Sequence, residues 1–298
     1  MSIHNQQIQN ILEKSWNIAS ISSSICNDIE RFAELLYEQL YLNKQSVNNL
    51  NNKIDMSHEL QKIKKNTFEI EDFRIIKEYD QNHMLIEKKG RLYLFPRQQI
   101  VNGKLRLTII DTHSNDDYCY IFSKTLDDNF PQALVRFYLN VNSRYVLAFI
   151  KELCDILDCN EIQFSIKCFK NIYDYSRSDN TILYVYKYDW SSFFNLLKIF
   201  FKENKEQLNP NIPLFTYPIC YGVGFGENPN SAGESFGSVR CRLIAKSFSE
   251  AILIGFSKKQ CIEYTQNQII EKGYDVNKFY LNPNSKYPYN FSVKSFKS

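Results

Sequence analysis

A strict alternation of apolar and polar residues over 135–141 constrains the fold of this chain more than any other feature. Apolar side chains at every second position predict a β-strand with one face in a core. The polar positions on the opposite face are Arg136, Tyr138 and Asn140. A helical apolar stripe follows over 143–157, and a second alternating stretch over 162–168. If both strands share a sheet, the helix between them makes a parallel, right-handed crossover, and the two polar faces can lie on the same side.

The segments before this block predict helices and then short antiparallel strands. Residues 6 to about 43 carry two helical stripes, the second after a possible cap at Asn27. The Asn- and Lys-rich stretch 43–65 is a polar connection and the one plausible domain boundary. Beyond it, a hairpin with Gly90 in its turn is predicted. The predicted strands of this region are 83–87, 92–95, 105–110 and 118–122.

The segments after the block alternate between strand, helix and loop. The chain predicts a third strand at 181–188, a helix at 191–203 and a glycine-rich loop at 213–237. Two more helices are predicted, one from Glu234 or Ser235 to Gly255 and one over 258–272. We therefore predict an α+β fold with a helical N-terminal segment (1–65), antiparallel strands and then a mixed sheet flanked by helices (66–298), the latter forming one compact unit.

Charge and cysteine content disfavour several classes of function. A net charge of +3 without a concentrated basic stripe does not predict nucleic-acid binding. No apolar run reaches membrane-spanning length and no secretory pattern is present, so we expect a cytoplasmic bacterial protein without membrane contact. An effector exported by a dedicated apparatus would have a similar sequence. The 8 cysteines show no C-x-x-C spacing and the 4 histidines lie outside the central block, so we expect no metal site and no cofactor.

Several polar residues could take part in chemistry, and each also has a purely structural interpretation. Arg136 suits a bidentate hold on a phosphate, although its strand could simply have a solvated face. Lys167 lies in an apolar strand and would act as a base if burial or nearby arginines lowered its pKa; otherwise it is an exposed lysine. The loop residues Tyr175, Arg177 and Asp179 precede a strand, which is also ordinary loop composition.

A glycine-rich stretch and two arginines allow the same two interpretations. Residues 222–226, with Gly224 and Gly226, come shortly before a predicted helix start that could bind an anion, or they form a tight turn against the sheet. Arg240 and Arg242 are two positions apart on that helix, so they point in different directions. At most one of them is therefore expected to face a site.

Taken together, these motifs resemble those of the HopA-type effector family. The matching motifs are VRFYLNV (135–141), FSIK (164–167), YSRSDNTILYV (175–185), PLFT (213–216) and GVGFGENPNSAGESFGSVRCRLIA (222–245), with YLNP (280–283) matching more weakly. The strong part covers somewhat over a third of the chain. Members of this family include plant-pathogen type III effectors and stand-alone enzymes of lanthipeptide and thioamidated-peptide biosynthesis.

The resemblance implies a β-elimination from phosphothreonine or phosphoserine in a peptide. Lys167 would take the Cα proton, and Tyr138 or Tyr184 would donate to the carbonyl oxygen on which charge develops. Enteric effector lyases of this chemistry use a histidine as the acid; here a tyrosine, Asp179 or Lys170 would replace it. The expected phosphate ligands are Arg136, Arg177 and Arg240, and the expected substrate contacts are Asn140, Tyr175, Gly224 and Gly226.

The resemblance also implies partners. The substrate would be a precursor peptide with a leader, phosphorylated by a separate Ser/Thr kinase-like enzyme, because the chain contains no kinase motif. Two other functions remain open. The chain could be a type III effector-like protein, secreted into a host cell, that acts by protein–protein binding without catalysis. It could also be a phosphopeptide-binding module that delivers substrate to a kinase.

Overall fold

The structure, a computed structural model, describes residues 3–21, 23–42, 54–124, 133–230 and 233–291. Its α-helices are α1 (Ile3–Ile21), α2 (Ile29–Leu36), α3 (Ser57–Leu60), α4 (Val146–Cys159), α5 (Trp190–Glu203), α6 (Phe236–Leu253) and α7 (Lys258–Glu271). A π-helical turn, Tyr37–Tyr41, continues α2. The helices predicted after residue 140 all occur, with ends within a few residues of those expected. No helix of the described residues is both long and apolar enough to cross a membrane.

The strands form one large sheet and two small ones. The strands are β1 (Thr67–Ile70), β2 (Arg74–Glu78), β3 (His83–Lys88), β4 (Arg91–Pro96), β5 (Ile100–Val101), β6 (Lys104–Thr108), β7 (Ile110–Asp111), β8 (Tyr118–Phe122), β9 (Leu134–Leu139), β10 (Phe164–Phe169), β11 (Thr181–Tyr186), β12 (Tyr217–Cys220) and β13 (Val223–Glu227). The seven-stranded sheet has the order β12-β13-β9-β11-β10-β8-β7, and the small sheets have the orders β1-β6-β5 and β2-β3-β4.

The α+β class is confirmed, and β9 and β10, the first two central strands, share one sheet with α4 between them in sequence. β11 lies between the two strands in the sheet and pairs antiparallel with both. β9 and β10 therefore run in the same direction without being neighbours. All pairings of the described strands are antiparallel, so the large sheet is not mixed. The third strand, β11, is buried on both faces, as expected for a strand at the centre of a sheet covered on both sides.

The N-terminal helices belong to the same hydrophobic core as the large sheet. Ile8 and Leu12 of α1 and Phe32 and Leu36 of α2 are buried in it, and α2 packs along α6. The cap of α2 is Asp28 and not Asn27, since the Asp28 side chain accepts from the backbone N–H of Arg31. Residues 43–53 of the predicted polar connection (43–65) lie outside the described residues.

The predicted loop at 213–237 contains two strands, and glycine is the reason that the second one fits. A Cβ on Gly226 would lie 2.5 Å from the ring of Phe236, and a Cβ on Gly224 would overlap the side chain of Thr216. Only glycine lets β13 lie flat beneath these side chains. The expectation of a phosphate-cradling loop or a tight turn is therefore wrong for residues 223–227, which form a buried strand.

Helices cover both faces of the large sheet. On one face the fully buried ring of Phe137 packs among Trp190, Phe193 and Phe201, with centroid distances of 5.9, 6.0 and 6.3 Å. Truncation of such a ring to alanine typically costs about 3–5 kcal/mol. On the other face Phe236 of α6 packs against Tyr138 at 5.6 Å. The polar sides of the central strands point to this second face.

Candidate active site

The strand register brings the predicted polar faces together. Lys167 and Tyr138 are the Cα partners of Ile182 on either side of β11, and Tyr120 is the next partner of Lys167. Directly opposite residues of an antiparallel sheet point to the same face, with Cβ atoms about 4.5–5.5 Å apart. The adjacent row pairs Arg136 with Tyr184. The expectation that both polar faces lie on one side is thus confirmed.

Other segments enclose these rows in a cavity of about 320 Å³. Tyr37 and Tyr41 come from the π-helical turn after α2, and residues 233–235 come from the start of α6. The loop before β11 supplies Arg177 and Asp179. The large sheet and three other segments therefore contribute to one cavity, whose lining combines three cationic side chains with tyrosines.

Lys167 has the features of a general base. Its Nζ lies 3.6 Å from the centre of the Tyr118 ring, and among the described residues it has neither a hydrogen bond nor an ion pair. Burial and then the charges of Arg136 and Arg177 lower the pKa of Lys167, an effect that Asp179 partly opposes. A lowered pKa increases the fraction of neutral amine near neutral pH, and only that form can accept a proton.

Arg136 is held in a fixed orientation at the start of α6. Its Nε donates to Asn228 Oδ1 at 2.7 Å and its Nη2 donates to the backbone oxygen of Glu234 at 3.0 Å. The guanidinium is nearly buried and lies 5.3 Å from the centre of the Tyr184 ring. Neither bond uses a carboxylate, so the positive charge is not neutralised. Together with the N-terminus of α6, capped by Ser235, it favours an anion.

Arg177 is paired with Asp179. Its Nε and Nη2 donate to the two carboxylate oxygens of Asp179 at 2.8 and 2.9 Å, and its guanidinium lies 4.9 Å from the centre of the Phe169 ring. Both oxygens of Asp179 accept hydrogen bonds from a cation, which is the arrangement of an ionised carboxylate. Asp179 therefore orients Arg177, and the expectation that it donates a proton does not fit this geometry.

The cavity tyrosines are the available proton and hydrogen-bond donors. Tyr138 is 1% exposed, and its Oη is buried without a hydrogen-bond partner among the described residues. Burial raises the pKa of Tyr184 to about 12 and also raises the pKa of Tyr118 and of Tyr37. These phenols stay protonated at neutral pH. A buried hydroxyl at a cavity wall that lacks a hydrogen-bond partner destabilises the folded protein unless a ligand supplies that partner.

Two residues predicted to bind phosphate or donate a proton lie elsewhere. The Arg240 guanidinium is fully buried and donates to the backbone oxygens of Phe236, Phe279 and Leu281, so it is not a phosphate ligand. Lys170 Nζ donates to backbone oxygens of residues 112 and 115 and does not line the cavity.

The predicted substrate contacts also have structural roles. Asn140 is buried and bonds to the backbone oxygen of Asn211, while its own oxygen accepts from Asn180. Tyr175 Oη donates to the backbone oxygen of Phe169. Gly224 and Gly226 are covered by Thr216 and Phe236. None of these four predicted residues lines the cavity among the residues that the structure describes.

Sequence reasoning missed several residues of the cavity. Tyr118 and Tyr120 alternate within a strand that was predicted, so period two could have placed them on one face. Tyr37 and Tyr41 are four positions apart, which puts them on one side of a helix but does not indicate what they contact. Nothing in the sequence identifies Ile182 as a cavity residue, because an isoleucine in a strand is equally typical of the hydrophobic core.

One protein-family model and two solved effector structures are similar to this chain. The model of the HopA1 effector protein family matches residues 111–281, a range that includes all of the large sheet except Ile110 and most of the cavity. An effector protein from Pseudomonas syringae pv. syringae strain 61 superimposes with a TM-score of 0.51 at 15% identity, over 93% of this chain and 98% of the other. An effector from pv. tomato strain DC3000 gives 0.50 at 12% identity, over 92% and 99%. No curated protein sequence matches.

The described residues contain no cluster of three His, Cys, Asp or Glu that could hold a metal ion.

Proposed function

The chain belongs to the HopA1 effector protein family, and from that premise we propose that it is a phosphothreonine/phosphoserine lyase. It eliminates phosphate from a phosphorylated precursor peptide and leaves dehydrobutyrine or dehydroalanine. The observation that supports this most strongly is Lys167: its pKa is lowered, it has no ion-pair partner among the described residues, and it faces a cavity with Arg136 and Arg177. Proton abstraction and phosphate binding need that combination.

The reaction is a β-elimination that needs no oxidant or reductant. Neutral Lys167 takes the proton from Cα, and the electron pair of the C–H bond forms the Cα–Cβ double bond. The Cβ–O bond breaks, and its electron pair leaves with the phosphate. Lys167 ends protonated and later returns its proton to solvent. Atoms and charges balance as phosphopeptide giving dehydropeptide and inorganic phosphate.

The cations bind the leaving group. Arg136 is fixed against the start of α6, and its remaining N–H groups donate to the phosphate. The positive end of the α6 helix dipole also attracts the phosphate. Arg177 supplies a second guanidinium, oriented by Asp179. Positive charge is needed most as the bond breaks, when negative charge on the phosphate increases. The same charges lower the pKa of Lys167, so phosphate binding and base activation depend on the same residues.

Tyrosines supply the remaining donors. Tyr138 Oη, buried without a partner among the described residues, is suited to donate to the carbonyl oxygen of the phosphorylated residue, where charge develops as the Cα proton leaves. Tyr184, on the same face beside Arg136, is suited to donate to the departing phosphate oxygen. A tyrosine thus takes the place of the histidine acid.

The proposed substrate requires a partner enzyme. A separate Ser/Thr kinase-like enzyme must phosphorylate the precursor peptide before elimination, and the leader of that peptide would remain attached during both reactions. In a biosynthetic setting all three proteins act in the bacterial cytoplasm. If the chain is instead an exported effector, the same chemistry would act on a phosphorylated host protein.

The test is elimination from a synthetic phosphothreonine peptide, measured by mass spectrometry as loss of one phosphoric acid. We expect activity in the wild-type protein and none in Lys167→Met. The matched control is Lys77→Met, which makes the same change on an exposed strand position of β2 and should retain full activity. Full activity of Lys167→Met would disprove the role of Lys167. Tight phosphopeptide binding without any turnover by the wild-type protein would identify a phosphopeptide-binding module instead.

A further inference from the structure

One side chain in the cavity differs in kind from the others. Ile182 is the only aliphatic side chain among the described residues that line it; its neighbours there are tyrosines, charged residues, an asparagine and a serine. It is 8% exposed and so is almost completely covered apart from the part that faces the cavity. The proposed elimination assigns this apolar surface no role.

The position of Ile182 is defined by the sheet register. On β9 its Cα partner is Tyr138, and on β10 its Cα partner is Lys167. The three side chains therefore stand side by side on one face, about 4.5–5.5 Å apart at their Cβ atoms. A substrate Cα within reach of both the proposed base and the proposed carbonyl donor must lie above Ile182, because Ile182 is between them.

The β-carbon of the substrate is bonded to that Cα, so it also lies over Ile182. Phosphothreonine differs from phosphoserine only by a methyl group on this β-carbon. The phosphate oxygen on the same carbon is directed towards Arg136 and Arg177, which leaves the methyl group to meet the aliphatic side chain of Ile182. We propose, on the basis of the lyase function above, that Ile182 holds this methyl group and makes the protein selective for phosphothreonine over phosphoserine.

Contact with Ile182 affects both binding and reactivity. One methyl group in an apolar pocket typically changes kcat/KM by about tenfold or more. A methyl group held in one place also prevents rotation about the Cα–Cβ bond, so the C–H and C–O bonds that break stay aligned. Phosphoserine lacks this restraint and samples unproductive rotamers. The same restraint predicts a single geometric isomer of dehydrobutyrine in the product.

The experiment compares two peptides that differ only in phosphothreonine or phosphoserine, with wild type, Ile182→Ala and Ile182→Phe. The readout is the ratio of the two kcat/KM values in one preparation, which does not depend on the folded fraction. We expect a ratio of about ten in favour of phosphothreonine in wild type, near one in Ile182→Ala, and below one in Ile182→Phe, where the ring fills the space of the methyl group. Ile199→Ala, the same change at an exposed position of α5, should keep the wild-type ratio.

The outcomes separate this inference from the lyase function on which it rests. Equal kcat/KM for both peptides in wild type, or a ratio unchanged in both Ile182 variants, overturns the role of Ile182 and leaves the lyase function standing. Elimination from neither peptide overturns the lyase function and the selectivity with it. A mixture of dehydrobutyrine isomers from the wild-type protein also overturns the restraint on the methyl group.

Discussion

Arg240 and Arg242 are two positions apart on α6 and should respond very differently to the same substitution. Arg240 is fully buried, and its guanidinium donates at 2.6 and 2.9 Å to the backbone oxygens of Phe279 and Leu281. Arg242 is about half exposed, and it forms ion pairs with Glu30 at 3.1 Å and with Glu234 at 4.0 Å. We expect Arg240→Met to destabilise the fold by about 3–5 kcal/mol and Arg242→Met by less than about 1 kcal/mol.

The magnitude for Arg240 follows from its contacts. It makes three hydrogen bonds to backbone oxygens, the third to Phe236, and a hydrogen bond from a charged donor contributes about 1.5–3 kcal/mol. Burial lowers the pKa of Arg240 to about 10, which shows that keeping this cation in the core has a cost. Methionine removes that cost but takes away the donor to the backbone oxygens of Phe279 and Leu281. The net loss is therefore smaller than the sum of the three bonds.

The assay is urea denaturation followed by tryptophan fluorescence, with wild type and both variants under the same conditions. Similar midpoints for the two variants would refute the reasoning. A stable Arg240→Met protein with a raised KM for phosphopeptide would show that Arg240 binds phosphate after all. Loss of stability confined to Arg240→Met supports its role in fastening the segment 279–281 to α6.

Three further measurements test the cavity. The kcat/KM for elimination should rise with pH through the pKa of Lys167 and then level off, because only the neutral amine is a base; burial and then Arg136 lower this pKa, so Arg136→Met should move the midpoint to higher pH. Tyr138→Phe should leave the denaturation midpoint unchanged or slightly raised, since its Oη lacks a partner among the described residues, while kcat falls roughly 100-fold. Gly237→Ala places a Cβ 2.6 Å from the Tyr41 ring, so thermal or urea denaturation should show a loss of about 1–3 kcal/mol despite the better helix propensity of alanine.

Features that depend on neighbours in sequence were predictable. The alternation over 135–141 and 162–168 fixes which side chains share a face of each strand, because successive side chains of a strand point in opposite directions. The helical apolar stripe over 143–157 likewise predicted α4, because side chains three or four positions apart lie on one face of a helix. Arg136 and Lys167 could therefore be named as candidates from periodicity together with the family resemblance, and the register then placed both in the cavity.

Features that depend on residues far apart in sequence were decided only by the tertiary structure. The insertion of β11 between β9 and β10 is a choice among pairings that the alternation permits equally. Arg136 bonds to Asn228, 92 positions away, and becomes a phosphate candidate, whereas Arg240 bonds to Phe279, 39 positions away, and becomes structural. The sequence presents both as arginines beside apolar residues. What separates them is that the guanidinium of Arg136 lines an open cavity, whereas that of Arg240 is enclosed by three backbone carbonyls, and this is settled only when distant segments pack.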